Sequence, residues 1–331
     1  MLVDTGASAS ALYSHASLLG KPIQLVSVQQ VDKLVQRKLF QIDGMKIGCL
    51  TIENCSCFYK PEGDDYLVDG FVGSGVFKDA VLQVDYANRS LFVLKSYVTD
   101  SSEDQIRLKI VQQVPVADFD LDGRVPMIVD TGNNYGLTLQ SAIVDRLVKS
   151  KSAVRLPQVD RIIQKPARSM FILRELRVGD VKLSDVWGAE GAVNTIGNQV
   201  LSRFRVTIDY PNKKLYLKPR TDLPPRDPLF GGGVFFKRNE QGTFVRDLEI
   251  DRPTHQAGLQ IDDRIIKVDG KSVEKMPFPE LYDLLARHDV TVVIEFERDQ
   301  KPQSVEVRLQ QPLAWPPVWP EKKPLRKIPD E

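Results

Sequence analysis

The chain has 331 residues, a length that suits two to three domains at roughly 150 residues each. Lys and Arg number 45 against 44 Asp and Glu, a net charge of +1, so no basic excess exists for binding nucleic acid or an acidic membrane surface. With 42% hydrophobic and 27% charged residues, and no apolar run near the ~18 residues of a membrane span, the composition excludes collagen-like, disordered and helical membrane classes.

The chain opens on Met1-Leu2-Val3-Asp4, which lacks the basic start and long apolar stretch of a secretory signal. Leu2-Val3-Asp4-Thr5-Gly6-Ala7-Ser8 reads as a short apolar strand running into a tight turn. Alternating stretches follow at Phe40 to Ile42 and Met45 to Ile52, with Gly44 and Gly48 near the turns. Cys55 and Cys57 share one face of a strand-like run and, with Cys49, lack the CxxC spacing of a metal or redox site, so they read as inert thiols. Val72-Gly73 comes next, then Val84-Asp85-Tyr86-Ala87-Asn88, a turn leading into a last strand from Leu91 to Leu94.

The pattern then repeats. Val114 to Leu121, Asp122-Gly123 and Arg124 to Val129 spell a hairpin, because Asp-Gly between apolar runs is a strong turn signal. It leads into Ile128-Val129-Asp130-Thr131-Gly132-Asn133-Asn134, which matches the first motif at an offset of 126. Gln140 to Val148 has helical spacing, with Ile143, Val144, Leu147 and Val148 on one side. Strands are expected at Phe171 to Val178 and Val181 to Val186. Ile196-Gly197 and Ile208-Asp209-Tyr210-Pro211-Asn212, followed by Leu215 to Leu217, echo the first half at an offset of 124. Three matched anchors in one order make the first ~220 residues a tandem duplication. Only three residues precede Asp4, whereas Asp130 follows a whole hairpin. The natural product is therefore expected to start upstream of Met1 with a matching hairpin of roughly 15 to 20 residues. A signal segment there would imply a periplasmic or cell-envelope location.

Lys218 to Pro228 carries four prolines and reads as an extended linker. Beyond it, a second core pattern runs from Gly231-Gly232-Gly233-Val234-Phe235-Phe236 through a strand at Gly242 to Ile250 and the run Ala257 to Gly270. A helix from Pro279 to His288 and strands at Val290 to Arg298 and Gln303 to Leu309 complete it. Pro312 to Glu331 holds six prolines with Trp315 and Trp319, and reads either as a polyproline partner motif or as a tail packed on the body.

The chemistry narrows by elimination. Only His15, His255 and His288 are present, with no HExxH and no GxSxG, so zinc and serine hydrolases are poor fits. Acid–base work then falls to carboxylates. Two Asp-Thr-Gly turns meeting face to face would hold two carboxyls too close for both to ionise, leaving one base to activate water and one acid to protonate a carbonyl oxygen. Each turn by itself also suits an ordinary structural role.

Leu-Val-Asp-Thr-Gly-Ala-Ser followed by an apolar-Gly segment resembles the retropepsin-like aspartic proteases, over residues 1 to about 218. The resemblance implies a mostly β fold of two pseudo-twofold lobes, 1–98 and 99–219, with Asp4 and Asp130 as the catalytic dyad. Thr5 and Thr131 would brace the loops across the axis, and Gly6 and Gly132 would permit the turns. Val72-Gly73 and Ile196-Gly197 would pack beneath them. Asn133, where Ala7 stands in the first half, departs from the pattern and could hydrogen-bond the nearby carboxylate. Flaps are expected around Val26 to Lys38 and Val154 to Pro166. After a linker at 220–230, residues 231–310 look like a small α+β PDZ domain, ahead of a Pro/Trp-rich tail at 311–331. By that likeness Gly232, Gly233, Val234 and Phe235 form a carboxylate-binding loop and groove strand, walled by the helix with Leu281, Leu284 and Leu285. The expected activity is a cofactor- and metal-free endopeptidase acting on peptide or protein substrates, with no nucleic-acid partner and no membrane span. The alternative is an inactive protease scaffold that serves as a peptide-binding adaptor.

Overall fold

Alternation along short apolar runs dictates strands rather than helices. The computed structural model describes residues 2–12, 19–29, 34–42, 45–47, 50–53, 55–59, 70–100, 103–163, 169–220, 232–239, 241–287 and 289–310. These described residues are mostly β, with 54% strand and 11% helix, so sheets position the side chains that matter.

The first half supplies a six-stranded sheet in the order Leu2–Asp4, Gly70–Gly73, Ser10–Leu12, Cys55–Tyr59, Leu34–Ile42 and Gln24–Gln29. Leu2–Asp4 runs parallel to Gly70–Gly73, with Asp4 opposite Gly73. In the second half Arg124–Val129 makes the same parallel pairing with Thr195–Ile196. It is reached by the expected hairpin from Val114–Asp120, whose turn places Asp122 at φ 51° and Gly123 at φ 123°. Val125, Met127 and Val129 alternate inward and are buried, so the strand delivers Asp130 from a fixed register.

A twelve-stranded sheet joins the halves. Near one edge of its strand order the halves meet in the antiparallel pair Val81–Asp85 and Phe204–Asp209. Gln83 lies opposite Thr207, flanked by Leu82 opposite Ile208 and Val84 opposite Val206, so the ladder is symmetric about a central rung whose partners stand at the 124-residue offset of the sequence. Gln83 Nε2 donates to Thr207 Oγ1 at 2.9 Å on that central pair. The turns beyond it also match. Asn88 and Asn212 each donate backbone N–H and side-chain amide to Asp85 and Asp209 respectively, at 2.8–3.1 Å. Buried residues from both halves, among them Val72, Phe77, Leu82, Met127, Leu137 and Ile208, form one core.

Several expectations are refined. The helix of the second half runs Ser141–Lys149, with Val144 and Leu147 buried. Met45 to Ile52 splits into two paired strands, Met45–Ile47 and Leu50–Ile52. Val26 to Lys38 falls on the hairpin Gln24–Gln29 with Leu34–Ile42, and Val154 to Pro166 on the loop between Ala153–Arg155 and Met170–Val178. Residues 30–33 and 164–168 lie outside the described residues. So do Cys49, the segment after the first Asp-Thr-Gly at 13–18, most of the linker and the tail from 311. The strand Lys214–Pro219 carries regular pairing through the first two residues of the expected linker, Lys218 and Pro219.

The C-terminal region has its own core, from Val234 to Leu309. Its sheet runs Val234–Asn239, Gly242–Leu248, Arg264–Val268, Thr291–Arg298 and Lys301–Arg308. The helix spans Phe278–Leu285, entered through proline, whose missing N–H costs nothing in a first turn. His288 lies outside the described residues. Among the described residues, no helix is long and apolar enough to cross a membrane.

Candidate active site

Each Asp-Thr-Gly turn is closed by its own aspartate. Gly6 N–H donates to Asp4 Oδ1 at 3.0 Å, and Gly132 N–H donates to Asp130 Oδ1 at 2.9 Å. The Ala7 and Asn133 N–H groups reach back to the Asp4 and Asp130 carbonyl oxygens, both at 3.3 Å. Glycine is required at both turns because the two lie against each other. A Cβ on Gly6 would fall on the Asp130 carboxyl, and one on Gly132 on the Asp4 carboxyl.

The threonines tie the turns together. Thr5 N–H donates to Thr131 Oγ1 at 3.2 Å, and Thr131 N–H donates to Thr5 Oγ1 at 3.0 Å. Each hydroxyl then donates across to the strand before the opposite aspartate: Thr5 to the Val129 carbonyl and Thr131 to the Val3 carbonyl, both at 2.6 Å. Both threonines are buried, so four hydrogen bonds in a water-poor place hold the two loops in one arrangement.

The carboxyls of Asp4 and Asp130 hydrogen-bond each other, which requires a proton on one of them. Burial raises both above the ordinary carboxylate range. For Asp130 the nearby Asp4 charge adds to burial and the pair's own hydrogen bond, pushing it up to about 7. For Asp4, burial is offset in part by the hydrogen bonds from Asp130, Gly6 and Ala7. The pair therefore titrates as a unit, with the proton held more firmly on the Asp130 side.

Beneath the turns, Gly73 and Gly197 press on backbone. A Cβ on Gly73 would meet the Ala9 and Ala7 carbonyls, and one on Gly197 the Tyr135 and Asn133 carbonyls. The next residue in each case supports the loop. Ser74 N–H and hydroxyl both donate to the Ala7 carbonyl, at 2.7 and 2.8 Å. Asn198 Nδ2 donates to the Thr131 carbonyl at 2.7 Å, while its Oδ1 accepts from the Tyr86 hydroxyl at 2.6 Å. Ser74 and Asn198 stand at the same 124-residue offset, directly after the two glycines, and that spacing was the signal that could have found them.

Asn133 corrects an expectation. Its amide turns away from the carboxylates and donates to Thr138 Oγ1 at 3.0 Å and to Thr195 Oγ1, while Oδ1 accepts from Tyr135 N–H. Only its backbone N–H acts on Asp130. The thiols of Cys55 and Cys57 are buried and their pKa values raised by burial, Cys57 to about 12, so they stay protonated. No group of three potential metal ligands occurs among the described residues.

In the C-terminal region, Gly233 sits at φ 70°, which favours glycine. The Gly232 carbonyl accepts from Thr254 N–H and hydroxyl, and the Gly233 carbonyl from Glu249 N–H at 2.8 Å. Val234 enters the core, and Phe235 is partly exposed beside a bulge. The groove wall differs from expectation. Leu281 and Leu285 point into the core, and Tyr282 faces the edge strand, its hydroxyl accepting from Phe236 N–H at 3.2 Å.

The family model described as PDZ domain matches residues 233–309. Those residues take the PDZ character that the glycine loop and the Ala257 to Gly270 run had suggested. Among solved structures, an aminopeptidase N family protein from Idiomarina loihiensis is 26% identical over 25% of this chain and 14% of its own, with a TM-score of 0.22. The chain thus spans a small part of that protein, and so slight a likeness bears on neither fold nor function. A PDZ region points to peptide or protein partners.

Proposed function

We propose that residues 1–219 form a two-lobed aspartic endopeptidase and that the PDZ region serves it by binding peptide or protein. The observation that carries the reading is the reciprocity of the two turns: each glycine abuts the other's carboxyl, each threonine holds the other's loop, and the carboxyls share a hydrogen bond. The ladder of Val81–Asp85 with Phe204–Asp209, symmetric about the Gln83–Thr207 rung at the 124-residue offset, supports a pseudo-twofold relation between the lobes. In this reading Asp4 is the base and Asp130 the acid. Water attacks the scissile carbonyl carbon as its proton passes to Asp4, and Asp130 gives its proton to the carbonyl oxygen. The resulting diol returns a hydroxyl proton to Asp130. Asp4 delivers its proton to the nitrogen as the C–N bond breaks, which releases acid and amine and restores the pair.

The state with one proton on the pair is the working one, so activity falls as pH rises through about 7 and Asp130 ionises. The test is cleavage of an unfolded protein by the full chain. Asp4→Asn and Asp130→Asn each abolish it, and a metal chelator leaves it unchanged. Cleavage that survives both substitutions excludes the assignment. The adaptor reading loses one of its motives, since the Asn133 amide is directed away from the carboxyls. It predicts peptide binding confined to residues 233–309 and no binding of a statine-type hydroxyl inhibitor, a mimic of the tetrahedral intermediate.

A further inference from the structure

The loop that follows Ala153–Arg155 reaches the PDZ region. Ile162 N–H donates to the Leu248 carbonyl at 3.1 Å, and Ile250 N–H donates to the Asp160 carbonyl at 2.8 Å, around an antiparallel bridge of Arg161 with Glu249. Ile163 N–H donates to Asp247 Oδ1 at 3.0 Å. Residues 160–163 thus extend the PDZ sheet at the end of Gly242–Leu248, in the manner of an added strand. The Arg161 side chain fixes the register. Its Nε lies 3.1 Å from Asp247 Oδ2, with the two side chains 12% and 1% exposed, and its guanidinium sits 3.6 Å from the centre of the Phe235 ring.

The other side of this contact leads to the carboxyls. Tyr135 lies in the loop that carries Asp130, and its N–H donates to Asn133 Oδ1 at 2.9 Å. The strand ending the loop, Met170–Val178, pairs with Val181–Glu190, which pairs with Leu137–Leu139 just after Tyr135.

We propose that Arg161 is a positioning residue through which the PDZ region latches the 156–163 segment and, through the strand ladder that follows it, steadies residues 133–139 of the loop that carries Asp130. Its effect on turnover rests on the endopeptidase reading above; the latch itself does not. A guanidinium is suited to the task because one planar group can meet a carboxylate at its edge and an aromatic ring on its face.

The test uses the full chain with Arg161→Ala and Arg161→Lys. Amide hydrogen exchange is read at residues 133–139, Ile162 and Ile250. Alanine should speed exchange at Ile162 and Ile250 about tenfold, with a smaller rise at 133–139. It should also raise KM for peptide substrates about fivefold, with kcat within about twofold of wild type. Lysine keeps the charge beside Asp247 but loses the flat stack on Phe235, and should fall between. Unchanged exchange at Ile162 and Ile250 in the alanine variant overturns the latch. Faster exchange there with no rise at 133–139, or with kcat falling in place of a KM rise, overturns the positioning role. A wild-type chain that cleaves nothing refutes the endopeptidase reading, and the exchange at 133–139 still decides how far the latch reaches.

Discussion

Replacing Asp130 by Asn should stabilise the protein, and by an amount that depends on pH. The Asp130 carboxyl is raised from 3.8 to about 7 by burial and by Asp4. A carboxyl raised in the folded state contributes stability that is fully present below the unfolded value and lost as pH rises through the folded one. Between about pH 4 and about pH 7 the unfolded chain releases this proton while the folded chain keeps it. Wild-type stability then falls by up to about 1.4 kcal/mol per pH unit from this group. The span is close to three units, so the total is on the order of 2 to 4 kcal/mol, with the lower end allowing for the proton shared with Asp4. Asn does not titrate, so the stability of Asp130→Asn relative to wild type should be near zero at about pH 4, climb steadily, and level off above about pH 7. Carboxylates held low by partners, such as Asp85 beside Asn88 and Asp269 beside Arg287, are common to both proteins and cancel. Urea denaturation at several pH values measures the difference. A gap that stays constant across this range would refute the burial and pairing argued for Asp130.

Thr5→Val and Thr131→Val should each cost about 1 to 3 kcal/mol, since each leaves a buried N–H and a carbonyl unpaired. The double variant should cost close to the sum, because each hydroxyl makes its own two bonds and none is shared; denaturation midpoints of the four proteins test this. Gly6→Ala or Gly132→Ala should remove cleavage activity by roughly a hundredfold or more, because the new methyl group occupies the opposite carboxyl's place. Tyr282→Phe removes the hydroxyl that occupies Phe236 N–H and should tighten binding of an extended peptide with an apolar C-terminus by about threefold, read by calorimetry on the full chain. Weaker binding would mean that the tyrosine contacts the peptide instead.

The parts legible in the sequence are those where one residue type has few physical alternatives. Asp130 and Gly132 can be read because a carboxylate held by a turn N–H needs both in that spacing, and the duplicate at Asp4 and Gly6 supplies the partner. Asp85 with Asn88 and Asp209 with Asn212 are local turns, so their pattern is complete within four residues. Gly197 and Asn198 carry weaker signals, since the contacts of Asn198 with Thr131 and Tyr86 span 67 and 112 residues. Leucines on the Phe278–Leu285 helix suggested a groove wall. Helical periodicity marks only the apolar face, and Leu281 and Leu285 spend theirs on the core, leaving Tyr282 to the groove. Arg161 was invisible for a related reason: its partners Asp247 and Phe235 belong to another domain-sized pattern, and nothing near Arg161 distinguishes it from a solvated arginine.

The central claim is that Asp4 and Asp130 share one proton. Carbon-detected NMR titration of the aspartate carboxyls, in wild type and in Asp4→Asn, tests it directly. The account predicts a wild-type Asp130 midpoint of about 7, an Asp4 carboxyl that changes with it, and a downward shift of the Asp130 midpoint once the Asp4 charge is removed. Two carboxyls that titrate independently near the ordinary value of 3.8, with Asp130 indifferent to the loss of Asp4, would contradict it.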